Sequence, residues 1–166
     1  MIIRVLSQEM AENYAHDQPH VFVSIISPGG EKVALPNNEG RLAVVRLCFH
    51  DVDQGDPHCV ATSFLAHHDI EAVPARREDA SLVKVAVEAN PGADILVNCE
   101  AGISRSAGVA AAISKALTGD DERYFRRYRP NMHVYRLFYR EFAGAEPPPV
   151  EPADPFSDIP KDEPPS

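Results

Sequence analysis

The sequence predicts an α/β protein, with a mostly parallel central sheet flanked by helices and a disordered tail. Three observations predict it. Apolar runs of strand length, such as His20-Val21-Phe22-Val23-Ser24-Ile25-Ile26 and Ala93-Asp94-Ile95-Leu96-Val97, alternate with stretches of helical period. The helical stretches begin and end on capping residues. Beyond residue 144 the composition turns to prolines and acids.

Ile2 to Leu6 reads as the first strand, and Ser7 caps a short helix over Gln8 to Tyr14. His20 to Ile26 is a second strand, ended by Ser27-Pro28-Gly29-Gly30. Leu42 to Phe49 is a third, and its nearly continuous apolar character predicts a central place in the sheet. Gln54 to Arg77 has no assigned element and reads as a long segment able to form a lid. A helix follows from Arg77 to Asn90, acidic in its first turn and stopped by Asn90-Pro91-Gly92. After a fourth strand, the alanine-rich helix around Val109–Leu117 is apolar nearly all round, so it should be buried, with Gly119 closing it. Asp120 is the expected N-cap of the next helix, which carries the basic cluster Phe125-Arg126-Arg127-Tyr128-Arg129. Asn131 should cap the last helix, whose stripe of Val134, Leu137, Phe138 and Phe142 ends at Gly144.

Length and charge narrow the function. A chain of 166 residues fits one domain, here 1–144, with 145–166 as a Pro-rich acidic tail. That tail has too little apolar surface to offset its ordering entropy, and its polyproline run could engage a partner's groove. The net charge of −9 disfavours nucleic acid as a partner. No apolar run is long enough to span a membrane, and the start Met1-Ile2-Ile3-Arg4-Val5 lacks a signal peptide's apolar region, so a cytoplasmic protein is expected. Three cysteines at irregular spacing argue against a disulfide framework. His58, Cys59, His67 and His68 fit no standard ligand spacing, so no metal is expected.

The chemistry concentrates between the fourth strand and the alanine-rich helix, in Cys99-Glu100-Ala101-Gly102-Ile103-Ser104-Arg105-Ser106. Such a strand–loop–helix turn suits a phosphate, because loop amides and the helix N-terminus supply unpaired donors and partial positive charge. Gly102 permits a backbone that a side chain resists. Arg105 offers a planar fork for two phosphate oxygens. Cys99 stands at the mouth, where such a field favours the nucleophilic thiolate. The Ser106 hydroxyl can hydrogen-bond the sulfur as it becomes a leaving group.

This loop resembles the active-site loop of cysteine-dependent protein tyrosine phosphatases, most closely the dual-specificity branch with its small bacterial and phage-type relatives. The resemblance implies phosphate-monoester hydrolysis through a phosphocysteine intermediate, without a cofactor. It also implies a phosphorylated protein, phosphotyrosine first, or a small phosphate ester as substrate. It assigns Cys99, Arg105 and Ser106 catalytic roles, and Glu100, Ala101, Gly102, Ile103, Ser104 and Arg105 phosphate binding. It places the general acid on a loop after a strand, where Asp51 fits best, ahead of Asp53 and then Asp69. Asn131 matches a position where the family braces the loop, and it fits a plain helix cap equally well. The family usually has His before the cysteine, and this chain has Asn98. That departure implies a slower enzyme or, alternatively, a pseudo-phosphatase that binds phosphorylated ligands without turnover. Rhodanese-like sulfur-transfer loops are generally shorter than the five residues between Cys99 and Arg105.

Overall fold

The computed structural model describes residues 1–53, 55–56 and 58–149; most of the predicted tail, from 150 onward, lies outside them. Four strands, β1 (Ile3–Leu6), β2 (His20–Ile26), β3 (Arg41–Cys48) and β4 (Asp94–Asn98), form one sheet in the order β1-β4-β2-β3. Every pairing is parallel, as the alternation of strands and helices requires. The last strand in sequence therefore enters between the first two. In register, Asn98 stands beside Leu6 on one side and Ser24 on the other. The loop leaving β4 emerges at the carboxyl edge of the sheet, which is where α/β sheets bind ligands.

The third strand is a correction to the sequence reading. It lies at the edge of the sheet, and β4 and β2 hold the centre. Ala43, Val45 and Leu47 turn inward, whereas Leu42, Val44 and Cys48 are exposed. The apolar run looked continuous because apolar residues also occupy the open face. β4 is buried along its whole length.

Six helices accompany the sheet: α1 (Gln8–Asn13), α2 (Val60–His67), α3 (Arg77–Glu88), α4 (Arg105–Thr118), α5 (Glu122–Arg127) and α6 (Met132–Ala143). One face of the sheet, with Val5, Val23, Ile95 and Val97, packs into the main core together with Val83, Ala111 and Phe138 from α3, α4 and α6. The other face, with Leu6, Phe22 and Leu96, is covered by Ala11 of α1 and by Val33. The expected caps form. Ser7 Oγ accepts from Met10 N at 3.1 Å, and Gly119 and Gly144 adopt φ of 80° and 68°. α5 starts at Glu122, with Asp121 in the flanking position. Asp120 still supplies the capping bond, its Oδ1 accepting from Glu122 N at 3.0 Å.

α4 is buried from Arg105 through Ser114. A Cβ on Gly108 would lie 2.8 Å from Asn131 O and 3.2 Å from Val134 Cβ, so this glycine sets how closely the start of α6 approaches. α2 was not expected. Its preceding residue, Cys59, makes no side-chain cap bond, and only Leu65 is buried, so neither capping nor periodicity announced it. Among the described residues no helix is long and apolar enough to cross a membrane.

His20 sits fully buried at the start of β2, with Nδ1 against Gln18 O at 2.8 Å and Nε2 without a partner. Burial lowers its pKa below the ordinary value of 6.5, helped by His16 and Arg41 and opposed by the Gln18 bond and Asp94. The unfolded chain therefore binds this proton more readily than the folded one. The contribution is fully present above about pH 6.5 and is lost as pH falls through that value toward the lowered one. His20→Asn should flatten the urea-midpoint profile between about pH 7 and pH 5 relative to the parent chain. An unchanged slope would assign the acid sensitivity elsewhere.

Candidate functional site

Residues 99–104 link β4 to α4, and their geometry is dictated from outside. Glu100 O accepts from Gln8 N at 3.1 Å, Ile103 O from Arg129 N at 3.1 Å, and Ser104 O from Asn131 N at 3.1 Å and Gly108 N at 2.8 Å. These loop carbonyls are thus turned to the surrounding chain. The N–H groups of Glu100 to Ser104 donate to no protein acceptor among the described residues. Donors without protein partners at a helix start are the prerequisite of an anion cradle.

Gly102 makes this possible. Its φ is +69°, and a Cβ there would lie 2.6 Å from Ser7 N and 2.7 Å from Leu6 C and O. The loop passes against the β1–α1 junction too closely for any side chain.

Cys99 is 2% exposed, yet it borders an open cleft of about 1030 Å³. Its Sγ lies 3.0 Å from Ser106 Oγ, the contact anticipated from sequence. Arg105 is 4% exposed. Its Nη1 donates to Ser27 Oγ and to Phe49 O, both at 3.0 Å, so the residues that follow β2 and β3 fix the guanidinium. Its Nη2 lies 3.7 Å from the exposed Glu100 carboxylate. Its Nε is buried and has no partner among the described residues. A buried charged donor without an acceptor is costly. The Nε–Nη2 edge is the one that receives two oxygens of a bidentate anion.

Asp51 lines the same cleft. Its Oδ1 accepts from Ser104 Oγ at 2.8 Å and from Asn131 Nδ2 at 2.9 Å. Asn131 is both things the sequence left open. Its Oδ1 caps α6 by accepting from Val134 N at 3.0 Å, and its Nδ2 also reaches Val52 O at 3.1 Å. The two ends of the amide join the cap of α6 to the segment after β3, and the Asn131 backbone N–H makes the contact with the 99–104 loop. Asp53 borders the cleft, but its oxygens are engaged by Gly55 N at 3.0 Å and Met132 N at 3.1 Å. Asp69 is not among the cleft residues; it sits in a left-handed turn, φ 54°, after α2. α3 and β4 separate it in sequence from Cys99. Asp56, not singled out in the sequence, lines the cleft, with Oδ1 accepting from His58 N at 2.8 Å. Arg129, read from sequence as part of a basic cluster and of the stretch Arg129-Pro130-Asn131, also reaches it.

Asn98 is fully buried at the end of β4. Its Nδ2 reaches Cys99 O at 3.4 Å and its Oδ1 has no partner, like the Ser24 hydroxyl beside it in register. Asn98 therefore touches the loop through one long bond, and nothing in the structure explains why its acceptor is left unpaired. Cys48 is exposed on β3, and Cys59 borders the cleft; both are free thiols, as is Cys99. The Cys59 thiol is more acidic than usual: burial raises its pKa, but hydrogen bonds from Thr62, Asp53 and Ala61 outweigh that. Among the described residues no group of three or more His, Cys, Asp or Glu side chains is arranged to hold a metal ion.

No family model and no curated protein matches the sequence. Among solved structures the fold is similar to that of human tyrosine phosphatase-like serine/threonine/tyrosine-interacting protein, with TM-score 0.46 and 16% identity, covering 82% of this chain and 87% of that one. It is also similar to human DUSP28, with TM-score 0.47 and 20% identity over 86% and 88% of the two chains. At this level of identity and TM-score neither likeness assigns an activity or a residue role to this chain.

Gly102→Ala should fold poorly and lose the cradle. A left-handed backbone costs a non-glycine residue about 1–2 kcal/mol, and overpacking adds about 1–3 kcal/mol. Chemical denaturation should show a loss of at least about 2 kcal/mol. A loss below about 0.5 kcal/mol would mean that the loop does not press against Leu6 and Ser7 in solution.

Proposed function

We propose that this chain hydrolyses phosphate monoesters, phosphotyrosine first among them, through a phosphocysteine intermediate on Cys99. One observation carries the reading: the buried Arg105 guanidinium keeps Nε without a protein acceptor at the head of a cleft that also admits Cys99. Arg105 and the amides of Glu100, Ala101, Gly102, Ile103 and Ser104 hold the phosphoryl oxygens. Because they are fixed before the ligand arrives, they stabilise the charge of the transition state without reorganising.

In the first step the Cys99 thiolate attacks phosphorus. The P–S bond forms as the P–O ester bond breaks, and Asp51 delivers a proton to the departing oxygen. In the second, water attacks phosphorus, its proton returns to Asp51, and the sulfur leaves as a thiolate. Ser106 Oγ, 3.0 Å from that sulfur, donates to it as charge returns. Asp51 suits the proton role better than its rivals, since its Oδ2 takes no bond from protein among the described residues, whereas both Asp53 oxygens are occupied. Asn98 and Asn131 act through the loop, Asn131 by holding Asp51 and the Ser104 carbonyl in one frame.

Cys99→Ser should lower turnover of 4-nitrophenyl phosphate by about a thousandfold or more while tungstate still binds. Turnover that survives the substitution would remove the covalent route, and a parent chain that binds tungstate but never turns over would be the pseudo-phosphatase alternative. Asp51→Asn keeps an acceptor for Ser104 and Asn131 but carries no proton. It should cost about 10²–10⁴-fold in kcat on phosphotyrosine and flatten one limb of the pH–rate profile. If Asp56→Asn flattens that limb and Asp51→Asn does not, Asp56 is the acid.

A further inference from the structure

The cleft is far larger than a phosphate needs. Its volume of about 1030 Å³ is at the upper end of the range that encloses a drug-sized ligand, and the Cys99–Arg105 loop is only part of its lining. α2 and the turn after it line it as well. Val60 is 82% and Phe64 57% exposed, Ile70 is also exposed, and all three face the cleft. Ile103 and Met132 border it from the loop side. Helix α2 is short and buries only Leu65, so its exposed apolar side chains fill no core. The segment is nevertheless held in place. His50 N donates to Val73 O at 2.7 Å, Val73 N to His50 Nδ1 at 3.0 Å, and His133 Nε2 lies 3.0 Å from Ala75 O. Exposed apolar side chains gathered beside a polar site mark a recognition surface.

Charge narrows what the wall accepts. Among the cleft residues the arginines are Arg105 and Arg129, and there is no lysine. The carboxylates of Asp51, Asp53, Asp56 and Glu100 border the same space. One phosphoryl group finds its cation at Arg105. Arg129 is the other arginine bordering the space, and four carboxylates outnumber it, so a second phosphate, or an acidic side chain next to the phosphorylated residue, meets a net negative surface.

We propose that the α2 wall binds apolar side chains flanking the phosphorylated tyrosine, so that this chain selects singly phosphorylated segments with apolar neighbours against those with acidic neighbours. The proposal takes from the function above the place where the phosphate sits, and it does not depend on turnover. Phe64, Val60 and Ile70 are its specificity-determining residues.

The test is equilibrium binding of the full Cys99→Ser chain to phosphotyrosine peptides identical except for Leu, Ser or Glu on either side, alongside turnover of 4-nitrophenyl phosphate by the parent chain. The Leu-flanked peptide should bind at least about tenfold more tightly than the Glu-flanked one. Phe64→Ser should narrow that ratio by about threefold or more, and Phe64→Leu should restore most of it. A purely structural role for Phe64 would weaken all three peptides alike. Equal affinity for the peptides, a preference for Glu, a ratio untouched by Phe64→Ser, or no binding of any peptide would each overturn the proposal. Turnover without the preference would leave the hydrolase reading standing and this one refuted; the preference without turnover would do the reverse.

Discussion

The loop after β4 has to present its N–H groups to one side, and it can do so only if its carbonyls are satisfied on the other. Gln8, Arg129, Asn131 and Gly108 supply those donors. They come from the start of α1, the α5–α6 link and α4 itself, so three parts of the chain must be folded before the loop has a defined shape. Each of these bonds contributes about 0.5–1.5 kcal/mol toward this orientation of the loop. The strand order serves the same end. Placing β4 between β1 and β2 brings the Leu6–Ser7 turn against Gly102 and the residues following β2 and β3 against Arg105.

Burial of Arg105 sets a second condition. A guanidinium removed from water loses several kcal/mol of solvation unless its donors are matched. Ser27 and Phe49 match one nitrogen, and the exposed Glu100 lies near another. The remaining donor, Nε, has no partner among the described residues. Asp51 and Asn131 extend the logic outward, each contacting the loop while also holding something else: the carboxylate bridges two donors, and the amide caps a helix. Gly108 lets the start of α6 come near enough for this. The same parts therefore carry stability and function, and a substitution at Asn131 or Gly108 would disturb both.

The outer cleft is built differently. α2 contributes one buried residue to the fold and is secured mainly through the bonds that follow it, from His50 and His133. Rigid donors around the phosphate site and a lightly anchored apolar wall beside it are two separate levels of constraint.

What the sequence by itself determined was local. The spacing of Cys99, Gly102, Arg105 and Ser106 marked the strand–loop–helix turn, and the caps at Ser7, Gly119, Asn131 and Gly144 depend on neighbours no more than a few residues away. Tertiary structure decided everything that joins distant segments. It put β3 at the edge, because an apolar run does not reveal whether both of its faces are covered. It formed α2 where neither a cap nor a stripe marked one, it carried Asp69 away from the cleft and brought Asp56 to it, and it gave Asn131 two tasks at once. Pairings across 50 to 80 positions of chain, such as Asp51 with Ser104 and Asn131, follow from strand order and helix packing, and no residue spacing encodes them.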